Sequence, residues 1–149
     1  MRNWFTTCVL VLSGLLVSAC RMQDAVDQAE NEVFAIHDQV MPKTSQILAL
    51  RKRLTERVAE LDSLKQTGSA VATLRTDEER EQALRIKRNL TEADSLMLLW
   101  MNQYNSDTLD KLSEEDGLRY LDTQKEQITH IKTKVDGSIQ QARKFLDES

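Results

Sequence analysis

Proline occurs once in the 149 residues, at Pro42, and glycine four times, at Gly14, Gly68, Gly117 and Gly137. Because the two residue types that break helices are nearly missing, long helices are open to this chain. Short alternating apolar and polar runs are also few, so the sequence gives no reason to expect strands. Only two cysteines are present, Cys8 and Cys20, which rules out a disulfide framework. Aromatic residues make up 5% of the chain, so any core is mainly aliphatic. Positive charge is not in excess: 20 Lys and Arg stand against 24 Asp and Glu, a formal −4, with the signs interleaved. That balance argues against a nucleic-acid groove or a polybasic lipid-binding face. There is no nucleophile elbow, no phosphate loop and no His-Glu-x-x-His pair, and no two of the many carboxylates stand out. Enzyme activity is not expected.

Long hydrophobic runs are missing too. The most apolar stretch, Cys8 to Ala19, falls short of the ~20 residues a membrane-spanning helix needs and is interrupted by Ser13, Gly14 and Ser18. With Arg2 before it, this stretch reads as a cleavable export signal. Its end, Val17-Ser18-Ala19-Cys20, resembles the lipobox of bacterial lipoproteins, where the cysteine thiol is acylated and the chain is cut before it. An ordinary secretory signal cut near Ala19 is the alternative. The resemblance implies a signal peptide over 1–19 and a mature chain starting at a lipidated Cys20. Two or three acyl chains hold a protein stably on its membrane. Arg21 stands where the enterobacterial sorting rule places an inner-membrane aspartate, so the outer membrane is favoured over the inner. Met22-Gln23-Asp24 lacks a dense acidic run, so the domain is expected to face the periplasm.

Loss of residues 1–19 removes Arg2 and leaves 130 residues with 19 basic and 24 acidic side chains, a formal −5. With Cys20 acylated, no thiol remains and packing alone must hold the fold. From Gln23 to Gln66, the residues Val26, Val33, Ile36, Val40, Ile47, Leu50, Leu54, Val58, Leu61 and Leu64 recur at three and four, the spacing of one helix face. Pro42 should kink or break this helix near Met41. Thr67-Gly68-Ser69-Ala70 has turn chemistry, and Thr76 with Glu79 reads as a capping box opening a second helix. That helix should turn Leu84, Ile86, Leu90, Ala93, Met97, Met101 and Tyr104 inward. Ser113, followed by Glu114, Glu115 and Asp116, should cap a third. Its seam positions Leu121, Ile128, Val135 and Ala142 fall seven apart, with Gln124, Ile131, Ser138 and Phe145 as companions.

Short turns between long helices imply antiparallel neighbours. The expected fold is all-α, an up-down-up three-helix bundle with a long first helix kinked near Pro42. Residues 20–33 are expected to form the lipidated N-terminus and a helical stalk, and 34–149 the antiparallel bundle. Counting outward from the Gly68 turn brings Met41 and Met101 to one level, ~37 Å away, with His37, Met97 and Trp100 within a few turns. His37 and Met41 are four apart, as are Met97 and Met101, so each pair shares a helix face. Imidazole and thioether together suit cuprous copper, or haem held by Met and His, with Trp100 as aromatic neighbour. The alternatives are plain core packing, to which methionine is well suited, and a surface for a partner helix.

The strings His37-Asp38-Gln39-Val40-Met41-Pro42-Lys43 and Leu98-Leu99-Trp100-Met101-Asn102-Gln103-Tyr104 resemble those of small helical lipoproteins of the Bacteroidota. Their activity is uncharacterised, and some carry the inherited label "viral A-type inclusion protein", which reflects shared helical composition. The resemblance implies a helical lipoprotein and assigns no site. Two functions are thus in view. One is a non-enzymatic envelope lipoprotein, anchored through Cys20 and acting by protein contacts or structural support, with no cofactor. The other is a soft-metal or haem binder using His37, Met41, Met97 and Met101.

Overall fold

The computed structural model describes residues 24–66 and 70–147, so Cys20, the export segment and the Gly68 turn lie outside the described residues. The described residues are almost wholly helical and include no strand. Helix α1 covers 24–40. A single 3-10 turn, Met41–Lys43, leads into α2, Thr44–Lys65. Then come α3, Ala70–Gln103, a short α4, Ser106–Leu109, and α5, Glu114–Asp147.

Each boundary has a local cause. Pro42 has no N–H to give, and the chain tightens there for three residues before α2 resumes. The hydroxyls of Thr44 and Ser45 donate back to the carbonyls of Met41 (2.8 Å) and Pro42 (3.0 Å) across this turn. Helix α3 ends before Tyr104 and Asn105, where Asn105 is extended (φ −135°, ψ 102°). Helix α5 opens as expected: Ser113 Oγ accepts from the Asp116 N–H at 3.3 Å and donates to Asp116 Oδ2 at 2.7 Å. Three acidic residues occupy its first turn, where the helix dipole favours them. The start of α3 differs from expectation. It lies at Ala70, and Thr76 sits inside the helix, because nothing in 70–77 breaks a helix and alanine promotes one.

The helices pack on one another around an aliphatic core. From α1 come Val33 and Val40, and from α2 Ile47, Leu50 and Leu54. The α3 stripe is Ala83, Ile86, Leu90, Ala93, Met97 and Trp100, a strict alternation of three and four. Both heptad columns of α5 are buried, including the polar Gln124 and Ser138; the Ser138 hydroxyl is satisfied by the Val135 carbonyl at 3.0 Å. Each fully buried Leu or Ile stabilises the fold by roughly 1.5–3 kcal/mol, so this stripe outweighs the exposed charges, which contribute little.

The charges mark which segments lie side by side. Between α2 and α3, Lys65 pairs with Asp77 (2.8 Å), Arg80 with Asp62 (2.6 Å) and Arg57 with Glu79 (2.5 Å). Lys134 of α5 meets Glu92 of α3 at 2.5 Å, and Lys125 of α5 meets Glu32 of α1 at 2.6 Å. Asp136 is bonded by Lys43 and, at 3.1 Å, by Lys132. Burial pushes its carboxyl up, and the two amines outweigh that and hold it below its ordinary value.

The segment expected as a free stalk is instead docked. Val33 is fully buried, Val26 and Ala29 pack against the core, and Glu32 is paired with Lys125. The beginning of α5 lies at this level, with Gly117 near Val26, and gives α1 a surface to cover.

Gly137 has negative φ inside α5, and a Cβ there would meet nothing within 4 Å. Gly137→Ala should therefore stabilise the protein by about 0.5–1 kcal/mol, read from the midpoint of urea unfolding.

Candidate functional site

Aromatic side chains are scarce, yet four of the five that follow Cys20 meet in one place. Phe34 and His37, one turn apart on α1, face Trp100 and Tyr104 at the end of α3. Phe34 meets Tyr104 edge-on with centroids 5.2 Å apart, and His37 lies 5.7 Å from Trp100. Trp100 and Tyr104 are 5.3 Å apart, and Tyr104 and Tyr120 of α5 are 6.1 Å apart. These separations fall in the range in which ring quadrupoles attract. The layer therefore ties α1, α3 and α5 together just where α3 stops.

Both of its phenol hydroxyls are used internally. Tyr104 Oη donates to Glu30 Oε1 at 2.7 Å, and Tyr120 Oη accepts from the Asn105 N–H at 3.1 Å. The first bond spans 74 residues of chain and holds α1 against the α3 terminus. Burial, then the bond to the Glu30 carboxylate, pushes the Tyr104 phenol well above its ordinary value. The His37 Nδ1 lies 2.9 Å from Asp38 Oδ1. A carboxylate only accepts, so this contact fixes Nδ1 as the donor and leaves Nε2 as the ring atom open to other partners. Trp100 is 4% exposed, and among the described residues its Nε1 has no hydrogen-bond partner.

The proposed soft-ligand residues are only partly brought together. Met97 is fully buried, and Met41 is half-buried against the same core. Met101 was expected to point inward, but it is 39% exposed. The α3 stripe steps from Met97 to Trp100 and on toward Tyr104, so Met101 lies one residue, ~100°, off the seam. Leu84 is displaced in the same way, half-buried beside the fully buried Ala83. His130 is exposed on α5. Among the described residues no cluster of three or more His, Cys, Asp or Glu is placed to hold a metal ion, and no helix is long and apolar enough to cross a membrane. Cys20, the expected lipidation site, lies outside the described residues.

Sequence reasoning found His37 and Trp100 at one level but missed Phe34 and Glu30. The i, i+3 pair Phe34/His37 was the available signal, since it puts two rings on one face of α1. The protein-family models, the curated proteins and the solved structures were each compared with the chain, and none matches.

Two outcomes follow from this layer. Met97→Ala should cost about 2–5 kcal/mol, as for other buried large-to-small changes, whereas Met101→Ala should stay within about 0.5 kcal/mol; paired urea titrations separate them. Tyr104→Phe should cost about 1 kcal/mol at neutral pH, a charge-assisted bond discounted for partial exposure. Because the folded-state value of Tyr104 is raised, its contribution is complete below about pH 10 and is lost as pH climbs toward the folded value. Tyr104→Phe should accordingly flatten the alkaline decline in stability measured above that pH.

Proposed function

We propose that this chain is a non-enzymatic lipoprotein of the bacterial cell envelope, anchored through acyl chains on Cys20 and acting through protein contacts. The observation that carries the reading is the sequence Val17-Ser18-Ala19-Cys20 behind a short apolar run. Its likeness to small helical lipoproteins of the Bacteroidota points the same way. Arg21 after the acylated cysteine favours the outer membrane, and the lack of a dense acidic run in Met22-Gln23-Asp24 favours a domain facing the periplasm.

The body fits a tethered, three-helix up-down-up bundle, with α1 and α2 forming one long first helix bent at Pro42. Pairing order supports this. Between α2 and α3, the partners of Arg51, Asp62 and Lys65 are Asp94, Arg80 and Asp77, so numbers rise on one helix as they fall on the other. Between the first helix and α5, Glu32 and Lys43 pair with Lys125 and Asp136, rising together. Of the four soft-ligand residues, Met97 is fully buried, Met41 half-buried and Met101 turned outward at 39% exposure, while Tyr104 bonds to Glu30 and Trp100 fills the core. This favours a supporting role for them over ligation of copper or haem.

Mass spectrometry of the protein from membranes should find a chain starting at an acylated Cys20, and Cys20→Ser should give a product without acyl chains and with its leader retained. An unmodified Cys20 in the native product would overturn the proposal.

A further inference from the structure

Among the described residues four arginines, Arg53, Arg75, Arg85 and Arg88, make no ion pair and no side-chain hydrogen bond, and three of them line one groove. The groove encloses about 940 Å³ and is open to solvent. Arg57 and Lys144 add two more cations, against two carboxylates, Glu78 and Glu79. Glu79 is already bonded twice by Arg57, at 3.0 and 2.5 Å, so Glu78 is the one acid left facing the unpaired guanidiniums. On a chain of net charge −4, this is a local reversal of sign.

Its position follows from how far each helix runs. Asn89 on α3 touches Gln141 on α5 at 3.2 Å. Beyond that contact α5 has six residues left to Asp147, while α3 runs nineteen residues back to Ala70. The three unpaired arginines of the groove lie on this part of α3, between Ala70 and the Asn89–Gln141 contact. Ile86 and Phe145 form its apolar floor. Arg75 and Arg88 are ~20 Å apart along the axis, too far for one small anion to bridge.

We infer that this groove docks an acidic amphipathic segment of a partner protein, laid along α3 past Arg75, Arg85 and Arg88. Guanidinium forks bind carboxylates with two parallel hydrogen bonds, so carboxylates spaced along one helix face would meet Arg75, Arg85 and Arg88 in turn. A nucleic acid matches the sign, but it is repelled by the acidic remainder of a chain of net charge −4. The inference deepens the protein-contact reading and rests on it.

The test uses the full chain in detergent and a fluorescent peptide of about 20 residues, enough for ~30 Å of helix, with glutamate and leucine in helical spacing. The expected result is saturable anisotropy that the double variant Arg85→Glu/Arg88→Glu weakens by roughly tenfold or more, while Arg53→Glu leaves it unchanged. Circular dichroism of the variants separates lost binding from lost fold. Equal binding by the charge-reversed protein overturns the inference, as does equal binding of inorganic phosphate or a single-stranded oligonucleotide in place of the peptide. Acylation of Cys20 is not an input to this assay, so failure of the anchor reading is told apart. Envelope crosslinks that survive the Arg85/Arg88 reversal would overturn the groove alone and leave the contact reading standing.

Discussion

The structure depends on burying one continuous aliphatic stripe, and the described residues contain no cysteine to reinforce it. The two heptad columns of α5 are buried along its length, and α2 and α3, which pack most extensively on each other, supply the facing stripe together with α1. A chain with so few aromatic residues must obtain its core from many medium-sized side chains, each contributing a little. Long helices are the economical way to do this, because each added turn places one more Leu, Ile or Val on the stripe. The ion pairs between helices add little energy of their own. They select which residues stand opposite which, and so restrain sliding of one helix along another.

That division of labour explains what was legible in the sequence. Periods of three and four, and of seven, depend only on helix geometry, so the all-helical class, the columns Leu121/Ile128/Val135/Ala142 and Gln124/Ile131/Ser138/Phe145, and the Ser113 cap could be read directly. Phase errors of one residue were harder to avoid. Leu84 and Met101 are more apolar in appearance than Ala83 and more obviously core-like than a bulky Trp100, yet the strict alternation along α3 places the latter two on the seam. The Thr76–Glu79 pair carried a valid capping pattern, but a helix already propagating from Ala70 overrode it. Docking of residues 24–33 was not legible, because it depends on how far α5 and the α3 terminus rise beside α1.

The candidate site shows the same limit. Spacing put His37 and Trp100 at one height, and their rings do meet. What spacing could not supply was the second contact each group makes: Asp38 for His37, and Glu30 for Tyr104. Those partners differ in reach: Asp38 neighbours His37 on the same helix, whereas the Tyr104–Glu30 bond joins α1 to the end of α3 across 74 residues of chain.

The Tyr104–Glu30 bond and the Lys125–Glu32 pair both secure the middle of α1. A pull entering the described chain at residue 24 and directed along α1 therefore meets these fastenings and the Val33 packing together, sideways to each contact, instead of peeling them off one after another. Loading in shear distributes tension over the whole α1 face, so the body is built to withstand traction through its N-terminus better than traction that lifts α1 away from α5.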